Sequence, residues 1–237
     1  MDLRKIEYLE ETKNLIKQAI IEKGGSVSDT DTFRSYAEKI SELKTAGENK
    51  IAKLFSNQEV ELTESDLEGA TKINDYQFYQ RSYLLSIELP STVTSIGRNA
   101  FTQCSRLRSI KMSENISGTI GTSTFSVCSS LEELFIPSGV KSLSNYAIES
   151  CTNLKVIRLG ENSQLSSIAT GVFSGSLSIE LYDFRGLTKI PSSNSDFPVT
   201  DNTKMVVPDS LYDGLIVASK FSNIADKIVK ASEYVEG

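Results

Sequence analysis

The sequence predicts an α/β repeat solenoid, a parallel β-ladder of five to six short coils with an N-terminal αα-hairpin and a C-terminal helical cap. Three observations predict it: a self-similar period of 23–25 residues, an L-x-x-I-x-L unit recurring once per period, and apolar residues at helical spacing towards both ends.

The period is read from apolar columns. Ile73, Ile96, Ile120, Leu143 and Ile168 follow one another at 23, 24, 23 and 25 residues, and Phe78, Phe101, Phe125, Ile148 and Phe173 repeat those steps five positions later. A third column, Leu84, Leu107, Leu131 and Leu154, opens the units LLSIEL, LRSIKM, LEELFI and LKVIRL. The last two apolar residues of each unit are two apart, so on a strand both project to one side and their neighbours to the other. One unit of about 23 residues cannot bury such a stripe, but stacked units join their stripes into one core and align their strands in parallel. The segments between strands, of which SIGRNAFTQCSRL is typical, lack a long helical period and are expected to form loops with short helical or 3₁₀ turns. The aromatic column is expected to tie the convex side to the strands.

These units resemble the BspA-type leucine-rich-repeat family, whose repeat runs roughly I-x-x-x-A-F-x-x-C-x-x-L-x-x-I-x-L-P-x-x-V. The resemblance covers about residues 60 to 207; VTSIGRNAFTQCSRLRSIKM follows the pattern nearly throughout, and Pro90 and Pro137 fall where the family places a proline after the strand. Beyond Phe173, GVFSGSLSIELYDFRGLTKIP departs from it, lacking the Cys position and shortening the gap to the strand. The resemblance implies a leucine-rich-repeat-like solenoid over residues 46–207 that binds a partner.

Cys104, Cys128 and Cys151 lie 24 and 23 residues apart in one repeat column. That spacing makes them a ladder of small buried hydrophobes, one per coil, rather than a metal or redox cluster. Disulfides between neighbouring coils are the alternative, but an odd count in a chain not expected to be exported argues for reduced thiols.

Open solenoids expose apolar edges that terminal segments must cover. KMVVP reads as a last strand, and from about Asp209 to Val229 the residues Leu211, Leu215, Ala218, Ile224, Ala225 and Ile228 recur at mostly helical spacing, making 208–237 a helical cap. At the other end, residues 3–22 read as an amphipathic helix with Leu9, Ile16 and Ile20 on one face, ended by Gly24 and Gly25. A second helix starts near SDTDT, whose Asp29, Thr30 and Asp31 are candidate N-caps, and carries Phe33, Tyr36, Ala37, Ile40 and Leu43. A hairpin spanning 1–45 is too small to be stable alone. Leu9, Ile16, Ile20, Phe33 and Ile40 must therefore meet either the first coil, as a cap, or another chain, as an attachment or oligomerisation surface.

The string YLEETKNLIKQAIIEKGGSVSDTDTFRSYAEKISEL, residues 8 to 43, resembles a module that recurs in bacteriophage tail and other virion-associated proteins. The resemblance implies a virion structural protein such as a fibre, a tail-associated protein or a capsid decoration. Other virion proteins would be its partners, the virion its location and, by analogy with phage fibres, a trimer its form. The alternative is a bacterial cell-surface adhesin of the same repeat family.

Composition narrows the function classes. Lys and Arg number 25 against 31 Asp and Glu, a net charge of −6 that disfavours nucleic acid. MDLRKIEYLEETKNLIK holds no apolar core of a signal peptide, and no stretch approaches the roughly 20 apolar residues of a membrane span, so neither export nor membrane insertion is expected. Histidine and tryptophan are absent, which removes the commonest general base and metal ligand. GTIGTS at 118–123 falls where a repeat turn belongs, and the pairs Glu132/Glu133 and Asp209/Asp213 read as solvated or helix-end charges. No catalytic residue, cofactor or metal is expected.

Binding is expected on the outward residues of the ladder, Glu88, Lys111, Phe135, Arg158 and Glu180, each placed between two inward apolar residues. Phe135 stands out as an aromatic on an exposed face, either a ligand contact or a ring resting under a loop or subunit. The mixed signs fit a host-surface protein or a glycan equally.

Overall fold

The computed structural model describes residues 58–235 together with Lys13, Asn14, Ile16 and Lys17, four helical residues near the N-terminus. Of the hairpin residues singled out above, Leu9, Ile20, Phe33 and Ile40 lie outside the described residues, and Ile16 is buried.

In chain order the strands are β1 (Val60–Leu62), β2 (Leu84–Glu88), β3 (Ser109–Lys111), β4 (Gly118–Ile120), β5 (Glu133–Ile136), β6 (Val140–Leu143), β7 (Val156–Leu159), β8 (Ser167–Ile168), β9 (Leu181–Asp183), β10 (Ser192–Ser193), β11 (Lys204–Val207) and β12 (Ile228–Lys230). They pair only in parallel. One line runs β1-β2-β3 and then, with β3 lying against β5, continues β5-β7-β9-β11-β12. A second runs β4-β6-β8-β10, preceded by a bridge between Ile73 and Ile96. The column used to read the period is thus itself a ladder: Ile120, Leu143 and Ile168 stand side by side in it. Its strands are only two to four residues long, too short to show alternation in sequence.

A third line of contact needs no strands. In the turn segments every second N–H donates to the next coil: Asn99, Phe101 and Gln103 to the carbonyls of Thr122, Thr124 and Ser126, and Ser123, Phe125 and Val127 to those of Asn145, Ala147 and Glu149. This path requires two left-handed residues per coil, four apart. Tyr76 and Gln80, Asn99 and Gln103, Ser123 and Val127, Tyr146 and Ser150, and Gly171 and Gly175 all have φ between 53° and 73°. Those residues interrupt any helical run, so the segments expected to contain helical or 3₁₀ pieces form successive turns instead, as in Thr102 N–H to Asn99 O and Cys104 N–H to Phe101 O.

The inward residues fill a continuous core. Leu84, Leu107, Leu131 and Leu154 are fully buried, as are the cysteines beside them. Phe78, Phe101 and Phe125 stack nearly parallel, with centroids 5.2 and 5.5 Å apart. The C-terminal cap carries a strand besides its helices. After β11 come α1 (Asp209–Leu215) and a 3₁₀ run, Ser219–Lys227, that buries Phe221 and Ile224 and packs against β10. Then β12 adds itself to β11. A three-residue strand bearing Lys230 between two 3₁₀ segments is a poor template for further pairing, which blunts the edge.

Candidate binding face

The outward side of the first ladder carries two rows of side chains. In register, one row is Ser86 and Ser109, then Glu133, Val156, Leu181 and Lys204; the other is Glu88 and Lys111, then Phe135, Arg158, Asp183 and Val206. Glu88 is thus in register with Lys111, and Phe135 with Arg158. Glu180 stands in neither row. It is exposed just before β9, its N–H bonded to Lys155 O at 2.8 Å. The fifth unit is Ile179-x-x-Tyr182-x-Phe184, with all three residues buried, so Asp183 takes the outward place. A 25-residue step from Leu154 points to this frame, but the aromatic substitutes hid it behind the nearer match SIEL.

Arg158 organises the centre of the face. Its Nε donates to Glu133 Oε1 at 2.8 Å and its Nη1 to Asp183 Oδ2 at 2.7 Å, so one side chain on β7 ties β5 to β9. Asp183 also accepts from Arg185 Nε at 2.8 Å and Nη2 at 2.7 Å. Burial pushes the Asp183 carboxyl up, but its bonds to Arg185 and Arg158 outweigh this and hold it below the ordinary carboxylate value. Burial works to lower the Arg158 guanidinium likewise, and its two carboxylates raise it. Lys111 is a different case: its Nζ lies 3.8 Å from Glu64 and both are exposed, an arrangement that stabilises little.

The chain itself covers the far end of this face. Tyr234 places its ring 5.6 Å from Lys204 Nζ and 5.9 Å from Arg185 Cζ. Leu181, Asp183 and Val206 are buried, whereas Phe135, Val156 and Arg158 are half-buried and Lys111 and Glu133 exposed. The open part of the face therefore runs from β2 to β7. Neither Asp183 nor Tyr234 was among the residues singled out from sequence, and only the wrapped-back terminus identifies the second.

The cysteine column does structural work. Each Sγ donates to a carbonyl of the preceding coil: Cys104 to Phe78 O at 3.0 Å, Cys128 to Phe101 O at 3.2 Å and Cys151 to Phe125 O at 3.1 Å. Ser176 stands where the next cysteine would fall and donates to Ile148 O at 2.7 Å, so the position is filled by a hydroxyl with the same task. Burial pushes the thiols of Cys104 and Cys151 up to about 12 and that of Cys128 well up too, which keeps all of them protonated and unreactive. Among the described residues no group of His, Cys, Asp and Glu could hold a metal ion, and no helix is long and apolar enough to cross a membrane.

A BspA-type leucine-rich-repeat region matches in six copies across residues 71–195, just over half of the chain. The chain belongs to the BspA-type leucine-rich-repeat family. Among solved structures, this BspA-type chain is similar to a leucine-rich cell-surface protein of Faecalibacterium prausnitzii, with 27% identity and a TM-score of 0.51 over 56% of this chain and 34% of that one. It is also similar to a pneumococcal vaccine antigen (18% identity, TM-score 0.48, 73% of this chain and 40% of that one). A leucine-rich-repeat protein of T. pallidum follows (20% identity, TM-score 0.45, 67% and 82%). The chain thus spans about a third of the length of the Faecalibacterium protein. No curated protein matches it.

Proposed function

We propose that this BspA-type chain is a non-enzymatic binding protein of a bacterial cell surface that holds its partner on the open part of the ladder face. The observation that carries this reading is the outward side of β2 to β7, a sheet face on which Phe135 and Val156 stand half-exposed beside charged residues. Uncovered apolar side chains among fixed polar ones are what a partner surface buries with gain. Family membership supports the reading, as does the likeness to a protein described as a leucine-rich cell-surface protein.

The test is attachment of fluorescent particles coated with the full chain to bacterial and epithelial cells. Phe135→Ala and Arg158→Ala should each reduce attachment while circular dichroism still reports a cooperative melt. Undiminished attachment by both variants would overturn the assignment of this face.

A second reading rests on residues 8–43, whose string resembles modules of phage virion proteins. On it, the hairpin docks the chain into a particle and the ladder face meets a host protein or glycan. Immunodetection of the full chain in purified phage particles, as against the cell envelope, separates the two readings.

A further inference from the structure

We propose that Tyr146 and the hydroxyl-bearing side of the second ladder bind a neutral glycan, with a sugar ring stacked on the tyrosine. This site lies on β4, β6 and β8 and is independent of the face proposed above on the first ladder.

The aromatic ring is the first ground. Tyr146 follows β6, is 41% exposed, and its hydroxyl has no hydrogen-bond partner among the described residues. The ring leans from its own coil over the next one. A Cβ on Gly171 would lie 2.5 Å from Tyr146 Cε1, so the ring takes the place of the side chain that Gly171 lacks. The next coil thus holds in position a ring whose apolar body is open and whose polar tip is unused, the combination by which a tyrosine receives an amphipathic ligand such as a sugar.

The surroundings are the second ground, because they offer hydroxyls and no charge. Thr119, Ser142, Ser167 and Ser192 stand in register along β4-β6-β8-β10. Since Leu143 and Ile168 are buried, Ser144 and Ala169 share the outward side with Ser142 and Ser167. Thr119 Oγ1 and Ser142 Oγ bond each other at 2.7 Å, whereas the hydroxyls of Ser144 and Ser167 have no partner among the described residues. Residues 117–123, 142–148 and 162–179 include no Lys, Arg, Asp or Glu. Lys141 and Glu149 flank the middle stretch, and Glu149 already accepts from Ser126 Oγ at 3.0 Å. An anionic polysaccharide or a charged peptide would find no compensating charges here, while a neutral polyol meets groups that both donate and accept. Adjacent coils are about 4.8 Å apart, close to the length of one sugar residue, so hydroxyls on successive coils meet successive positions along a glycan.

The experiment uses the full chain labelled with nitrogen-15. Maltohexaose, mannohexaose, chitohexaose and a sulfated heparin hexasaccharide are titrated separately while backbone amide shifts are followed. At least one neutral probe is expected to move the amides of residues 118–123, 142–147 and 167–171. Its binding should weaken about tenfold in Tyr146→Ala, stay within about twofold in Tyr146→Phe, which keeps the ring, and be unchanged in Phe135→Ala. Gly171→Ala, whose methyl displaces the ring, should weaken it with the tyrosine still present; if that variant does not melt cooperatively, the Tyr146 pair decides. No shift from any neutral probe, shifts from heparin alone, or undiminished binding by Tyr146→Ala would overturn the proposal. Reduced cell attachment by Phe135→Ala without any glycan shift would remove this site and leave the first-ladder face standing.

Discussion

Val127 sits in the left-handed region at φ 60°, where a β-branched side chain is strained. The same station in the fifth coil is Gly175, whose Cβ, if it had one, would lie 2.9 Å from Ser150 Oγ. Val127→Gly should therefore raise stability by about 1 kcal/mol, roughly 2–4 °C in Tm, since relief of the left-handed strain outweighs the added freedom of the unfolded chain. Gly175→Val should lower it by at least as much; calorimetry of both variants checks the pair. The thiols carry a pH dependence. Their native pKa values lie above the unfolded value of 9.0, at about 12 for Cys104 and Cys151, so the unfolded chain releases protons first as pH rises. The resulting stability is fully present below pH 9 and is lost progressively towards pH 12, where alkaline unfolding should steepen. Replacing all three cysteines by serine should flatten that limb, measured by urea midpoints across the range. At this scale the cysteine ladder was legible from its spacing alone. The paired left-handed stations were not, because Tyr, Gln, Ser and Val have no local preference for that backbone and adopt it only under the hydrogen bonds of the next coil.

Among the elements, the Phe78–Phe101–Phe125 stack and the three-strand tie at Arg158 carry separable consequences. Phe101 is fully buried between two rings, so Phe101→Ala should destabilise by about 3–5 kcal/mol, read from chemical denaturation. Asp183, held below its ordinary value of 3.8 by Arg185 and Arg158, contributes stability that is present above that value and is lost as pH falls through and below it. Asp183→Asn should lower stability near neutrality by about 1–3 kcal/mol and make the acid limb shallower, compared by urea midpoints at neutral and acid pH. The L-x-x-I-x-L strands could be placed from sequence because one face of each is aliphatic and the other polar. The β9 unit escaped because its inward residues are Tyr182 in the strand and Phe184 just after it, and the second ladder because its strands are too short to alternate visibly.

For the molecule as a whole, solution mass tests the αα-hairpin expected over residues 1–45 and its role. Light scattering should find the full chain a dimer or trimer and a chain beginning at residue 46 a monomer if the hairpin is an assembly module. If the hairpin caps the first coil, both are monomers and the shorter one melts at lower temperature, because the edge at β1 loses its cover. The sequence by itself determined the period, the inward columns, the parallel stacking and the family. These follow from a pattern in which every coil repeats one local solution for burying the same apolar stripe. Only the tertiary structure decided which outward residues remain accessible. Asp183 is buried and Arg158 half-buried, and Tyr234, some fifty residues further along the chain, lies against Arg185 and Lys204 beside β9 and β11. Contacts between an ordered repeat and a segment outside it have no period, so nothing in the spacing of the repeat can announce them.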